Sequence, residues 1–446
     1  MAIKEKLSKR EPISIVTPSN NGKAVLLCGF VKNVRIISKN LKFILLEDRT
    51  GDVQITFRAN DIDNITLQRI DKITPQSVIC IEGTIQKSDI CKRGVEVIAH
   101  EMDILSTSDV PLPLDITGET NSNLDTRLNW RFLDLRNKRN RTIFLILSDF
   151  IKHSREFFDR EGFIEIFTPK FLGAPSEGGA EVFEVEYFGR KVYLAQSPQF
   201  YKQMAIAAGL EKVFEIAPVF RANPSFTSRH DTEFTSLDIE MAYIDSVEDI
   251  MNFEEKWLIY VIKKLREKWN DVVKSEFGVE IKIPDTPFPR LTMHEAYEIV
   301  KEKGIEVEEE SDIGTPGEKA LGEYIQDTRG HEFVFITHFP WKIRPFYHMR
   351  PENSPTLTLS YDLLWKGLEI TTGAQREHRY NVLINQAKEK GLNLENIGFY
   401  LDFFRYGCPP HGGFGLSPTR FIMCLLNLKN VREATLLPRD PNRVYP

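Results

Sequence analysis

Over residues 24–106 apolar and polar residues alternate in short runs, the period-two pattern of strands with one buried face. The runs 24–31, 42–47, 53–57, 78–85 and 95–104 predict five strands, and turn-forming residues fill 38–40, 48–51 and 92–94 between them. Five short strands joined in this way predict a small barrel, as in oligonucleotide-binding folds, and a barrel with no nucleic-acid role fits the same pattern. From 109 to 125 the alternation gives way to a polar stretch carrying Pro111, Pro113 and Gly118, read as a hinge. The expected organisation is a barrel over 1–107, a hinge over 108–130 and a second domain over 131–446, with an inserted helical region at about 270–330.

The second domain opens on a different period. Ile143, Leu147, Phe150, Ile151, Phe157 and Phe158 recur near helical spacing and predict a long amphipathic helix over 139–160, followed by the extended segment 163–167 and Pro169. Beyond it no regular βαβ rhythm and no G-x-x-x-x-G-K-[ST] loop occurs, which excludes P-loop and Rossmann nucleotide sites.

Residues 213–243 predict two strands joined by the polar loop 222–232, and their faces sort by parity. Phe214, Ile216 and Phe220 alternate with Glu215 and Arg221; Leu237, Ile239 and Met241 alternate with Phe234, Asp238 and Glu240. One face is core and the other a charged floor, on which an aromatic ring could stack a base while a guanidinium grips a phosphate. A solvent-facing polar strand face is the competing reading.

In 362–376, a two-residue loop at Lys366-Gly367 pairs Leu364 with Glu369 and Asp362 with Thr371, placing Asp362 and Glu369 on one face. Two such carboxylates suit magnesium, although two solvated acids on a surface hairpin have the same spacing. Arg376 has the wrong parity to join Glu369 unless the strand ends at Gly373. Ser197 is the expected N-cap of a helix with Pro198 in its first turn, a helix that puts Gln199 and Lys202 on one face. Gly412, Gly413 and Gly415 precede Ser417-Pro418, a second cap-and-start signature, with Arg420 in the first turn against the helix dipole, where a ligand anion would justify it.

Composition narrows the class. The chain has 446 residues, 41% of them hydrophobic, enough for two or three domains, and no apolar run long enough to cross a bilayer or to form a secretory segment after Met1. An intracellular, cytoplasmic protein is expected. Five cysteines without a C-x-x-C pair read as reduced packing thiols, and no H-E-x-x-H occurs for zinc. A net charge of −6 excludes a protein that coats nucleic acid, so an RNA partner has to be held by local patches.

In combination these segments resemble a class II aminoacyl-tRNA synthetase, of the aspartyl family in its archaeal and eukaryotic form. Residues 163–169 look like the first class motif, Phe220-Arg221 with Arg229-His230 and Glu233-Phe234 like the second, and 413–420 like the third; 176–179, 196–202, 373–376 and 438–441 match as well, in the same order. The resemblance implies an α+β fold: a five-stranded oligonucleotide-binding barrel reading the anticodon, and a catalytic domain built on an antiparallel sheet flanked by helices.

It further implies ATP and Mg2+ as cofactors, L-aspartate and tRNA for aspartate as substrates, with tRNA for asparagine left open as a second acceptor, and a homodimer with Pro169 at its interface. Arg221 and Arg420 are the implied catalytic cations; Arg221, Asn223, Arg229, His230, Phe234, Glu369 and Arg420 would bind ATP. Ser176, Glu177, Gln199, Lys202, Asp238, Thr372 and Arg376 would bind aspartate, and Asp362 and Glu369 magnesium. Phe43, Gln54 and Glu96 would contact the anticodon.

Lys202 and Arg376, as buried cations, would make asparagine's neutral amide a poor guest. Asn223 stands where the family usually has glutamate, 417–419 replaces the usual glycine-rich stretch with a glutamate before the arginine, and Lys32 occupies a variable anticodon position. An RNA-binding relative without activation chemistry and an asparaginyl enzyme are the competing readings.

Overall fold

The structure, a computed structural model, describes residues 7–91, 93–120, 122–175, 181–224, 227–229, 231–308 and 310–446. The chain divides into two compact units, Met1–Pro113 and Leu114–Pro446.

In the first unit β1 (Ala24–Ser38), β2 (Leu41–Asp48), β3 (Gly51–Arg58), β4 (Val78–Lys87) and β5 (Val95–Ser106) close a barrel in the order β1-β2-β3-β5-β4. The alternation explains closure: Val25, Leu27, Val31, Ile44, Leu46, Val53 and Ile55 all point inward and are buried. β1 runs past the apolar run because it bends, with register shifts between Val31 and Asn33 and between Ile36 and Ser38, and its far half stays paired with β2 although exposed. Helix Asn64–Arg69, capped by Asp63 accepting the Thr66 N–H at 2.9 Å, fills the connection from β3 to β4 and buries Leu67.

In the second unit the segment expected to be a hinge is largely exposed among its described residues, with Leu114 and Leu128 buried and a helix at Leu124–Asn129. The amphipathic helix spans Lys138–Arg160. The strands are β6 (Ile164–Glu165), β7 (Phe171–Leu172), β8 (Glu184–Tyr187), β9 (Arg190–Leu194), β10 (Lys212–Phe220), β11 (Glu233–Ala242), β12 (Arg290–Thr292), β13 (Phe333–Thr337), β14 (Ser360–Trp365), β15 (Leu368–Gln375) and β16 (His411–Leu416). Eight of them form one sheet in the order β12-β13-β14-β15-β16-β11-β10-β6, antiparallel except at its two ends, and β7-β9-β8 form a small second sheet. Helices Lys138–Arg160 and Val247–Phe277 cover one face of the large sheet, where Phe150, Trp257, Phe414 and Phe421 are fully buried. That leaves the other face to carry polar chemistry.

Two local expectations change. The Lys366-Gly367 turn forms, with positive φ at both residues (52° and 72°), and Leu364 pairs with Glu369. A bulge then shifts the register, so Asp362 pairs with Thr372 rather than Thr371. The helix after Ser197 runs over Gln199–Ala207 with Pro198 in the cap position, one residue later than expected, and the Ser197 hydroxyl accepts the Gln199 N–H at 3.3 Å.

Candidate active site

β11, β15 and β16 lie side by side, and their polar faces line a cleft of about 350 Å³ in the second unit. The cleft brings together Gln199, Lys202, Arg221, Asn223, Arg229, Phe234, Asp238, Glu369, Thr372, Arg376 and Arg420, residues from six separate stretches of chain. Ser176, Glu177 and His230 lie outside the described residues.

At one end the floor is a buried charge cluster. Lys202 Nζ is 3.2 Å from both Asp238 Oδ1 and Glu240 Oε2, and Arg376 Nε donates to Glu240 Oε1 at 2.9 Å. All four residues are at most 4% exposed. The floor is thus not a solvated strand face: helix Gln199–Ala207 lies over β11, and Lys202 reaches back through it to the carbonyls of Ile239 and Phe414. Burial works against ionisation of Glu240, but Arg376 and then Lys202 outweigh it and hold its carboxyl below the usual carboxylate range.

The two cations therefore have counter-ions already, and discrimination against asparagine has to be reckoned with those anions included. Arg376 joins the floor because the bulge at Ile370 reverses the parity beyond Glu369, so that Thr372 and Arg376 share its side while β15 runs unbroken through Gly373 to Gln375, and the early stop at Gly373 is not needed. Behind the cluster Gln203 takes hydrogen bonds from Gln199 (2.8 Å) and Tyr400 (2.9 Å) and meets His411 at 2.9 Å; burial pushes the His411 pKa down to about 4, so its ring is neutral at pH 7.

The register explains the glycines. Gly413 pairs with Glu240 and Gly415 with Asp238. A Cβ on Gly413 would stand 2.5 Å from Glu240 Oε2, and one on Gly415 2.9 Å from Asp238 Oδ1. Only the absence of side chains at Gly413 and Gly415 leaves room for the two carboxylates.

At the other end Arg221 sits over the Phe234 ring at 5.6 Å, the ring and guanidinium together on the cleft wall. Arg420, in the first turn of helix Pro418–Leu425 capped by Ser417, donates to the Glu369 carbonyl (3.0 Å) and carboxylate (3.4 Å) and to the Arg229 carbonyl (3.3 Å). The counter-charge missing at Thr419 comes from Glu369 on β15.

Thr372 lies between the two proposed magnesium ligands: it pairs with Asp362 and donates to Glu369 Oε1 at 3.3 Å. Arg344 Nη2 donates to Asp362 Oδ2 at 2.6 Å, and Asp362 Oδ1 is buried with no hydrogen-bond partner among the described residues. Burial, with the Glu369 charge beside it, pushes the Asp362 pKa up to about 7 against the pull of Arg344. A buried carboxylate oxygen left without a partner, in a residue that feels the charge of a second carboxylate, fits a divalent cation. Among the described residues no group of three or more His, Cys, Asp or Glu converges as a full metal cage, the condition under which magnesium relies on substrate phosphates and water.

Sequence reasoning missed Arg344 and Glu318, and gave Glu240 a face but no role. Parity was the signal available for Glu240, which shares the face of Asp238. Glu215, expected on the open floor, instead accepts the Thr168 N–H (2.7 Å) and hydroxyl (2.8 Å) and Lys170 Nζ (2.9 Å), clamping the residues on either side of Pro169.

On the barrel, Phe43, Gln54, Thr56 and Glu96 lie on neighbouring strands with side chains facing out of the apolar interior. Glu96 is buried behind the others, accepting Gln54 Nε2 at 3.0 Å and the Thr56 hydroxyl, so it orients Gln54 rather than presenting its own carboxylate. Lys32 is paired with Asp52 at 3.3 Å. The five cysteines are free thiols.

Residues 123–441 match the family of tRNA synthetases class II (D, K and N), and residues 25–105 an OB-fold nucleic acid binding domain. The chain belongs to the class II tRNA synthetases. Within them it belongs to the aspartate–tRNA ligases: it is 45% identical over 427 residues to an aspartate–tRNA(Asp/Asn) ligase of Aeropyrum pernix, covering 95% of this chain and 96% of the relative. It is 44% identical to an aspartate–tRNA(Asp) ligase of Pyrococcus abyssi, covering 97% and 98%. Among solved structures, asparaginyl-tRNA synthetase from Pyrococcus horikoshii, complexed with asparaginyl-adenylate, superposes with a TM-score of 0.91 at 31% identity, covering 98% and 99%. Aspartyl tRNA synthetase from Entamoeba histolytica superposes at 0.87 and 32%, covering 98% and 93%. Aspartyl and asparaginyl enzymes share this fold, so the choice of amino acid rests on the side chains of the cleft.

Proposed function

We propose that the cleft activates L-aspartate with ATP and transfers it to the 3′ end of tRNA for aspartate. The observation that carries this reading is the pairing of Lys202 and Arg376 with Asp238 and Glu240 at one end of a cleft whose other end presents Arg221, Arg229 and Arg420. Before substrate arrives the two cations balance the two anions. The α-ammonium of aspartate would pair with Asp238, freeing Lys202, and the side-chain carboxylate would take its place beside Lys202 and Arg376 with Glu240 retained. The cluster then stays neutral. Asparagine brings the ammonium without the second carboxylate and leaves one buried positive charge without a counter-ion, which disfavours it.

Phe234 would stack the adenine, Asn223 would accept from its amino group, and Arg221 would bind the α-phosphate, with Arg229 and Arg420 on the distal phosphates. The α-carboxylate of aspartate then attacks the α-phosphorus in line as pyrophosphate leaves, giving aspartyl-adenylate, and the 3′-terminal ribose hydroxyl of the tRNA attacks its carbonyl carbon, so that the aspartyl ester forms as AMP leaves. No enzyme nucleophile is required; alignment and neutralisation of developing charge by Arg221 supply the rate. Asp362 and Glu369 would hold magnesium, which when bound neutralises phosphate charge. Phe43 would stack an anticodon base and Gln54, fixed by Glu96, would hydrogen-bond one.

Exposed apolar side chains near Pro169, with Phe167 at 85%, Phe171 at 52% and Ile164 at 46% exposure, support pairing of two copies there. No helix among the described residues is long and apolar enough to cross a membrane.

The test is aspartate-dependent exchange of pyrophosphate into ATP by the purified protein with magnesium. Exchange is expected with aspartate and not asparagine, and is expected to fall by about 100-fold or more in Arg221→Ala. Absence of exchange in the unmodified protein would refute the reading. Charging of transcripts of both tRNAs measures the acceptor range.

A further inference from the structure

Glu318 lies in helix Gly314–Arg329, inside the stretch expected from the sequence to be an inserted helical region. The residue is buried, at 7% exposure, and meets Arg229 along two bonds, Arg229 Nη1 to Oε2 at 2.7 Å and Arg229 Nη2 to Oε1 at 3.3 Å. Oε2 also accepts the backbone N–H of Glu369 at 3.2 Å. Since Glu369 takes Arg420 Nη1 on its carbonyl, and Arg420 Nε donates to the Arg229 carbonyl, the bonds close into a ring: Glu318, Arg229, Arg420, Glu369 and back to Glu318.

The helix that carries Glu318 is seated without freedom. A Cβ on Gly322 would stand 2.4 Å from the Gly367 nitrogen, and one on Gly367 2.8 Å from the Lys319 Cα, so helix backbone rests directly on the β14–β15 turn. Glu318 is thereby held at a set distance from Glu369, two residues beyond that turn.

We propose that Glu318 is a positioning residue for the nucleotide site: it pre-sets the Arg229 guanidinium, and through the ring its distance from Arg420, so that both cations wait where distal phosphates arrive. This rests on the reading that Arg229 and Arg420 contact those phosphates. Arg229 and Arg420 line the cleft and Glu318 does not. A guanidinium has five N–H groups, and Glu318 takes only two, which leaves donors for phosphate.

The carboxylate has two opposing effects. It lowers the positive potential that attracts ATP, and it removes the rotational freedom that a long arginine side chain would lose on binding. Arg229 keeps its charge and its free donors while paired, whereas the bidentate geometry disappears entirely without Glu318, so pre-organisation outweighs the lost potential. Loss of Glu318 therefore weakens ATP binding.

The experiment compares Glu318→Gln, Glu318→Ala, Arg229→Ala and the double variant Arg229→Ala/Glu318→Ala in pyrophosphate exchange, with thermal melting of each. Glu318→Gln keeps the size of the side chain and guards against a folding failure of Glu318→Ala. The expected result is a rise of about tenfold in the KM for ATP in both Glu318 variants, with the KM for aspartate unchanged, and a double variant no worse than Arg229→Ala alone. An unchanged or lowered KM for ATP in the Glu318 variants, with Arg229→Ala raising it, overturns the positioning role and leaves the phosphate reading intact. Equal rises in both KM values mark a merely structural residue and also overturn it. An Arg229→Ala variant with normal KM for ATP refutes the phosphate reading itself, and the proposal with it.

Discussion

Glu240 accepts Arg376 Nε on Oε1 at 2.9 Å, and its other oxygen lies 3.2 Å from Lys202 Nζ, so one carboxylate serves as counter-ion to both cations of the cleft floor. Removing it leaves two buried cations facing Asp238 alone. Glu240→Gln should destabilise the protein by about 3–5 kcal/mol, the range for breaking a buried pair. Saturating aspartate, which adds an ammonium together with its side-chain carboxylate and so leaves the excess positive charge in place, should not restore the melting temperature of the variant to that of the parent. Melting curves with and without aspartate measure both effects; a variant as stable as the parent would show that Glu240 is not the shared counter-ion.

Gly413→Ala places a methyl group 2.1 Å from the Ile239 carbonyl and 2.5 Å from Glu240 Oε2, so β16 or β11 has to move. Overpacking of this kind costs about 1–3 kcal/mol. The KM for aspartate should rise more than the KM for ATP, because the displaced carboxylate belongs to the amino-acid end of the cleft. A uniform change in both constants would contradict the close-approach explanation of this glycine.

Phe43→Ala should separate the two halves of the reaction. Loss of one stacked base contact is worth about 1–3 kcal/mol, a rise of roughly fivefold to 150-fold in the KM for tRNA. Pyrophosphate exchange without tRNA should stay at the parent rate. Charging that is indifferent to Phe43 would remove that ring from the anticodon contacts.

Glu254, fully buried on helix Val247–Phe277, accepts the Tyr361 hydroxyl at 2.7 Å, and burial pushes its pKa up to about 8. The folded state therefore keeps a proton that the unfolded state releases above the ordinary carboxylate range. The sign follows: the contribution of this group is fully present below pH 4.5, declines as pH rises towards 8, and is constant above that. Each unit of such a shift corresponds to about 1.4 kcal/mol. Glu254→Gln removes the titration, so its stability relative to the parent should grow between pH 5 and pH 8. Denaturant unfolding at the two pH values tests this, and a difference independent of pH would contradict it.

Much of the architecture was legible in the chain. Period-two alternation located every barrel strand, because each strand has one face in the apolar interior and the other outside it. The helical period located Lys138–Arg160 for the same reason. The turn at Lys366-Gly367 could be read from Gly367, the residue of the pair that takes positive φ freely, but the bulge after it could not, since an extra residue such as Ile370 leaves no mark in the apolar pattern. Parity put Phe234, Asp238 and Glu240 on one face; whether that face met water or a helix was undetermined.

By itself, then, the sequence determined most of the elements, the two-part organisation, and through the order of its motifs the family and the residues proposed to carry the chemistry, because these depend on local periodicity and on residue identity. Only the tertiary structure decided how the charges are shared. Strand register set glycines opposite Asp238 and Glu240, helix Gln199–Ala207 buried Lys202 among carboxylates, and helix Gly314–Arg329 brought Glu318 to Arg229 across 89 residues of chain. Ion pairing and desolvation depend on distances in space between residues far apart in sequence, and no local pattern encodes those distances.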